Sequence, residues 1–457
     1  MRSLVEFDRL RHAARAIRLY RDLMAALRLS PADLAHLRSS RLIATIHHAY
    51  TTVPYYRRLF DRVGVRPGDI RTEEDLVRIP ITAKEGLRGL PRDEIVSSTA
   101  PRDRLNAYTT SGSTGVPFTY YRTIDDQLLF LMSVYRSMVH LGLRWTDRLL
   151  SIGDVFYLRA TVFQRVGLLP TQVLNPLESL GRQIDVVQRF RPTAIVIHPS
   201  AARVLALAVL ERRIPVSPVR LIFTSSELLD EPTADLIRDA FGTSPHSVYG
   251  LFETGRVGWQ CQPGGPHHLA EDIFVVETVD PDGRVQDGET GEVVLTTLTY
   301  RDMPFIRYRT GDLAKRVPRT CSCMHSFSQI RLAGGRTSEL LVLADGTLRP
   351  PLFLTSYIHR IPGIVQYQLR QEDLDRVTIQ IVTDAGFDEG RVSRLRHELS
   401  TILPGLQISI DRVPEIPRTA GGKHRYAIIS PEVKARIPTR PASGVRAPEP
   451  PSACPKP

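Results

Sequence analysis

Residues 193–224 read TAIVIHPSAARVLALAVLERRIPVSPVRLIFT. Two short apolar runs, Thr193–His198 and Val219–Thr224, bracket Ser200–Arg213, a stretch with the length and composition of a helix. Runs of this kind read as buried strands, and the segment between them as a crossover helix. Leu149–Ile152 (LLSI) supplies a further strand of the same type. The alternation over residues 105–255 therefore specifies an α/β fold, a parallel sheet flanked by helices. Farther on, IFVVETV (273–279) and GEVVLTTL (291–298) lie on either side of Pro281-Asp282-Gly283. Asp-Gly between alternating segments is a strong turn signal. Residues 273–333 are thus expected to add a small antiparallel or β-barrel-like piece beside the parallel sheet.

The rest of the chain is organised around that unit. Residues 5–60 read as helices: Phe7, Leu10, Ala13, Ile17 and Tyr20 recur at helical spacing, and Ser30-Pro31 is an N-cap followed by proline at the first helical position. Residues 340–433 read as a small α+β unit, with strands near 364–370, 376–383 and 406–413 and a helix near 388–402. These readings divide the chain into a core (1–335), a small mobile C-terminal domain (336–433) and a tail (434–457) expected to be disordered, with seven prolines in its last twenty residues.

Composition excludes several classes. With 42% hydrophobic and 24% charged residues over 457 positions, the chain is neither fibrous nor disordered as a whole. Four cysteines do not make a secreted disulfide scaffold. There is no long uncharged apolar run, and charges interrupt the N-terminal thirty residues every few positions. A soluble cytoplasmic protein without a membrane partner is expected. The net charge of +11 suits anionic ligands, but arginines are interleaved with acids and no nucleic-acid-binding motif is present.

Five segments carry chemistry. Tyr108 to Pro117 (YTTSGSTGVP) joins hydroxyls to glycines, a composition whose N–H and O–H groups can cradle phosphates; such a loop alone can also be a plain turn. Ser247 to Thr254 (SVYGLFET) offers an aromatic for stacking on a purine and a carboxylate for Mg²⁺; a core tyrosine and a solvated glutamate satisfy the same pattern. In Tyr308 to Asp312 (YRTGD) an aspartate after a glycine turn can accept ribose hydroxyls, or merely cap a hairpin. Gly334 to Glu339 (GGRTSE) lies at the domain boundary, and Pro417 to Lys423 (PRTAGGK) ends a glycine loop on a lysine that can reach a phosphate or stay in solvent.

Taken together and in this order, the five resemble the adenylate-forming superfamily, and within it the phenylacetate-CoA ligase family with its CapK-like and coenzyme F390 synthetase-like members. The resemblance covers roughly 5–430 and includes Val53-Pro54-Tyr55-Tyr56-Arg57. It implies ATP-dependent activation of a small-molecule carboxylic acid, aryl or arylacetic, as an acyl-adenylate, then transfer to CoA with release of AMP. It implies residue roles as well. Thr109, Thr110, Ser111, Gly112, Ser113, Thr114 and Gly115 hold the phosphates. Glu253 binds Mg²⁺, with Thr254 near the α-phosphate. Tyr249, Gly250, Ser226 and Glu227 flank adenine, Asp312 binds ribose with Arg336 beside it, and Lys423 bridges the carboxylate and α-phosphate. The C-terminal domain turns about Ser338 between the two steps. Family analogy also favours a homodimer.

Ser338 stands where the superfamily often has Asp or Lys, and Leu340 to Thr347 (LLVLADGT) departs from the Gly-Val-Asn-like CoA loop of many phenylacetate-type ligases and is closer to the CapK-like pattern. An amine, a hydroxyl or a carrier-protein thiol is therefore an alternative acceptor, as in amide or ester formation in natural-product assembly, and adenylyl transfer to a hydroxyl, as in F390 synthetase-like members, is a further alternative. A non-catalytic nucleotide-binding relative is the reading of another class, opposed by the intact Glu253, Asp312 and Lys423. Tyr135, Phe156 and Tyr157 are candidate linings of the acid pocket. Cys261, His268, Cys321 and Cys323 form a Cys₃His set suited to closed, structural Zn²⁺, with His267 the competing ligand and buried reduced thiols the alternative.

Overall fold

The computed structural model describes residues 2–110, 118–153, 167–280, 282–285, 288–319, 321–323, 325–336, 339–343, 348–349, 351–388, 390–403, 405–419 and 421–435. Ser111 to Gly115, Phe156, Tyr157, Ser338 and the tail beyond 435 lie outside them.

The apolar runs form strands where expected. Those of the core are β1 (Asn106–Thr110), β2 (Phe118–Arg122), β3 (Leu149–Ile152), β4 (Thr171–Leu174), β5 (Ala194–Ile197), β6 (Leu221–Thr224) and β7 (His246–Leu251). They continue with β8 (Gly255–Gln260), β9 (His267–Leu269), β10 (Phe274–Val279), β11 (Thr290–Thr297), β12 (Tyr308–Val317) and β13 (Gln329–Arg336). Eleven of these make one sheet in the order β10-β11-β12-β13-β9-β8-β7-β6-β5-β3-β4. The members β4, β3, β5, β6 and β7 are parallel, and every residue of β3 and β6 is buried, as a sheet covered on both faces requires.

The 273–333 region is antiparallel, the first of the two expected forms. It lies beside the parallel sheet and continues it, β13 pairing with β9, β9 with β8 and β8 with β7, and among the described residues the ladder does not close into a barrel.

The crossover helix, expected over Ser200–Arg213, runs Pro199–Glu211 and packs against Glu231–Phe241. The N-terminal helices are Arg2–Ala26, Pro31–Thr52 and Pro54–Arg62, and the Ser30 hydroxyl accepts the Asp33 N–H as N-cap. Of the expected apolar stripe of the first helix, Tyr20 packs against the core and Ile17 does not. Ala16, Leu23 and Ala26 are buried against the helix Ile124–His140, whereas Ile17 is 52% exposed.

That second helix carries Arg136, wholly buried, whose Nη1 donates to both carboxylate oxygens of Asp272 at 2.8 and 2.7 Å. The pair fastens the helical layer to the turn before β10.

A second core gathers Leu354, Tyr367, Leu369, Ile379, Ile381, Leu395 and Leu399. It surrounds a sheet of β16 (Ile364–Gln371), β17 (Arg376–Thr383), β18 (Gln407–Arg412) and β19 (Ala427–Ile429), preceded by a two-stranded ladder of β14 (Leu341–Val342) and β15 (Leu348–Arg349). The helix Leu352–Ile358 and β19 had no strong signal in the sequence. This unit docks on the crossover helix: Arg203 donates to the carbonyls of His359 (3.0 Å) and Ile364 (3.2 Å), and His359 Nδ1 lies 3.0 Å from Asp230.

Asp272→Ala leaves the Arg136 charge buried and unpaired, which should cost about 3–5 kcal/mol. Thermal denaturation should show a clear fall in Tm; an unchanged Tm removes this pair from the account of the fold.

Candidate active site

In parallel sheets, ligands collect beyond the carboxyl ends of the strands. Here the ends of β3, β5, β6 and β7 deliver Gly153, His198, Ser225 to Leu228 and Phe252-Glu253 to one cavity of about 250 Å³. The same cavity receives Thr110, Asp312, Gly334 and Lys423, so the segments singled out in the sequence converge.

Glu253 is its most constrained group. The side chain is 2% exposed, with Lys84 Nζ 2.7 Å and the Tyr308 hydroxyl 2.8 Å from the same oxygen, Oε1. Burial pushes this carboxyl up, but the Lys84 charge and hydrogen bond, with the Tyr308 bond, outweigh it and hold Glu253 below the usual carboxylate range. The group therefore stays anionic. Burial beside that carboxylate raises Tyr308 well above an ordinary phenol, so it serves as a donor.

Lys84 was not visible in the sequence, because no glycine or hydroxyl motif surrounds it. It is placed by a bridge between distant segments: Thr82 N donates to Arg307 O, and Arg309 N to Thr82 O, both at 2.8 Å. That bridge seats the lysine beside the strand bearing Tyr308.

Tyr249 donates its hydroxyl to Asp312 Oδ2 at 2.9 Å, joining β7 to β12. Gly250 has no alternative: a Cβ there would stand 2.5 Å from the Gly255 carbonyl. The hydroxyls of Thr110 and Thr254 are buried without a hydrogen-bond partner among the described residues. Such orphans suit an oxygen-rich ligand. Ser226 has φ +71°, a left-handed backbone rare for serine, in the turn that leads β6 into the cavity wall. Arg336 lies opposite Asp312 in the β12–β13 register.

Lys423 reaches the cavity from the second core. Its turn is closed by Gly422 N to Thr419 O (2.7 Å) and Lys423 N to Thr419 Oγ1 (3.1 Å). Gly422, at φ +75°, lies against Pro176, where a Cβ would come within 2.2 Å of the ring. The ammonium stands 4.6 Å from the centroid of Phe252, within cation–π range.

Three of the expected site residues stand or point elsewhere. In β1 the side chains alternate, so Thr110 faces the cavity and Thr109 is exposed. Glu227 lines the cavity, and its carboxylate accepts from Ser200 N, Ser200 Oγ and His424 N. Tyr135 does not line the cavity; it is buried near Trp145, ring centroids 6.5 Å apart. The lining face of that helix is Phe130, Val134 and Met138, one helical turn apart, continued by Phe223 and Val248.

Away from the cavity, one ligand atom from each of Cys261, His268, Cys321 and Cys323 lies within 4.8 Å of the others. His268 Nδ1 is 3.0 Å from the Phe327 carbonyl, which leaves Nε2 toward the thiols at 2.9 Å (Cys321) and 3.2 Å (Cys323). Burial lowers this imidazole to about 4, so it is neutral and suited to ligation. Gln329 Nε2 also lies 2.9 Å from it. His267 points elsewhere, its Nε2 3.1 Å from Ser247 Oγ, and drops out as a ligand.

Comparison with known proteins agrees with this geometry. The phenylacetate-coenzyme A ligase of Thermus thermophilus is 30% identical over 449 residues, which span 86% of this chain and 96% of that protein. The chain belongs to the phenylacetate-CoA ligase family. Its residues 343–430 match the CapK C-terminal domain. Among solved structures, 2-hydroxyisobutyryl-CoA ligase in the postadenylation state with R3-HIB-AMP superimposes with a TM-score of 0.74 at 20% identity, covering 90% of this chain and 93% of that one. The same enzyme in the thioesterification state with 2-HIB-AMP and CoA gives 0.60 at the same identity and coverage. Among the described residues no helix is long and apolar enough to cross a membrane.

Removing Lys84 leaves burial largely unopposed at Glu253, so its carboxyl should protonate at higher pH. In Lys84→Met the acidic limb of the kcat/KM profile should move toward neutrality. A limb that stays in place would show that Glu253 does not depend on Lys84.

Proposed function

We propose that the chain uses ATP to activate a carboxylic acid, aryl or arylacetic, and passes the acyl group to the CoA thiol. The observation that carries this reading is the cavity itself, where two lysines from distant segments and an ionised glutamate face an apolar slot. The slot of Phe130, Val134, Met138, Phe223 and Val248 takes the hydrocarbon body of the acid. An acid oxygen attacks the α-phosphorus; the bond to the bridging oxygen breaks and pyrophosphate leaves. The CoA sulfur then attacks the acyl carbon, its proton is lost, and AMP departs.

In the first step an anion approaches a polyanion, so fixed positive charge at the phosphates is the main requirement. Lys423 supplies it, while Lys84 is paired with Glu253 and keeps that carboxylate ionised; the buried hydroxyls of Thr110 and Thr254 donate to phosphate oxygens, and Asp312 with Tyr249 receives the ribose. The ionised carboxylate of Glu253 fits Mg²⁺, which takes few protein ligands and completes its shell with phosphates and water. When bound, the ion neutralises phosphate charge. Residues 1–335 and 336–433 act as two domains hinged near Ser338, and the smaller one leaves after adenylation to admit the acceptor. The departure of Leu340 to Thr347 from the CoA-loop pattern keeps an amine, hydroxyl or carrier-protein acceptor as the second reading.

The four-ligand cluster supports structural Zn²⁺. None of its residues lines the cavity, and three thiols with one imidazole leave no open position.

Incubation with ATP, Mg²⁺ and a panel of acids should release pyrophosphate, with thioester formed only when CoA is added. Adenylate formation indifferent to CoA would favour the other acceptors. Lys423→Ala should slow adenylation by about 10²–10³-fold while sparing the reaction of preformed adenylate with CoA; equal loss in both halves refutes the role. Metal analysis should find about one zinc per chain, as a closed tetrahedral site holds, and Cys323→Ser should lose it with a lower Tm. A metal-free protein whose Tm ignores chelators would refute the zinc assignment.

A further inference from the structure

We propose that Glu227 is a positioning residue for adenylation, holding the peptide that carries Lys423 rather than contacting the nucleotide base. This rests on the adenylating reading above.

Glu227 follows β6 in the cavity wall, yet three donors converge on its carboxylate. Ser200 N–H reaches Oε2 at 2.9 Å, and Oε1 accepts from the Ser200 hydroxyl at 3.0 Å and His424 N–H at 2.7 Å. Ser200 is the second residue of the crossover helix, and Pro199 before it has no N–H, so this is the first amide the helix presents. An anion at that position is stabilised by the helix dipole. The side chain is thus fixed from the core side, and the left-handed turn at Ser226 aims it there.

The remaining donor belongs to the other unit. The N–H of His424 is part of the peptide bond that begins at Lys423, so this hydrogen bond fixes the root of the lysine side chain. On the far side, His424 Nε2 lies 2.7 Å from the Tyr367 carbonyl in β16, which ties the turn to its own sheet. A charged acceptor makes the crossing bond stronger than a neutral one would. When the small unit moves away, only the His424 bond breaks, and Ser200 keeps the carboxylate in place for the next docking.

The test compares wild type, Glu227→Ala, Glu227→Gln and Ser200→Ala in the two half-reactions. Glu227→Ala should lower kcat for pyrophosphate release about ten- to a hundredfold, as expected for a hydrogen bond to a charged group. KM for ATP, and the rate from preformed adenylate with CoA, should stay within about threefold. Glu227→Gln should recover part of the loss, and Ser200→Ala should show a weaker loss of the same pattern. A raised KM for ATP with unchanged kcat overturns the proposal in favour of a base contact. Equal loss in both halves overturns it in favour of a merely structural role, and wild-type rates in all variants also overturn it. A wild type that releases no pyrophosphate with any acid fails the underlying reading itself.

Discussion

A carboxylate sealed from water must be neutralised by protons, by metal or by an opposite charge, and Glu253 meets this requirement with Lys84 and Tyr308. The three residues belong to the N-terminal layer, the end of the parallel sheet and the antiparallel extension. The same constraint that keeps the glutamate charged therefore assembles the cavity from three parts of the chain. Thr82 reinforces it through backbone bonds to Arg307 and Arg309, so the lysine is held by main chain and is not left on a free loop.

What could be read from the sequence follows from how local each signal is. β3, β5 and β6 were legible because strands buried on both faces must be apolar throughout. Asp312, Glu253 and Lys423 were legible as members of motifs. Lys84 was not, because its meaning depends on a pairing across more than two hundred residues. Glu227 was expected to flank adenine, but the direction of its carboxylate depends on the helix start at Ser200 and on the docked second unit. Tyr135 shows the limit of reading aromatics: the helix turns its Phe130–Val134–Met138 face inward and leaves the tyrosine beside Trp145.

The two hydrophobic cores divide the work between permanence and movement. The large core is built on the sheet and the helices packed against it, and the Arg136–Asp272 pair inside it is wholly buried. Several of the contacts that cross to the second core are polar: Arg203 to carbonyls, His359 to Asp230 and Glu227 to His424. Polar contacts of this kind can be exchanged for water at modest net cost, as parting and rejoining surfaces require.

Gly422 meets Pro176 with no space for one further carbon atom. The lobes close to the thickness of a bare main chain, and the alphabet at that position shrinks to a single letter. The reach of the lysine is thus set as much by the missing side chain before it as by its own length.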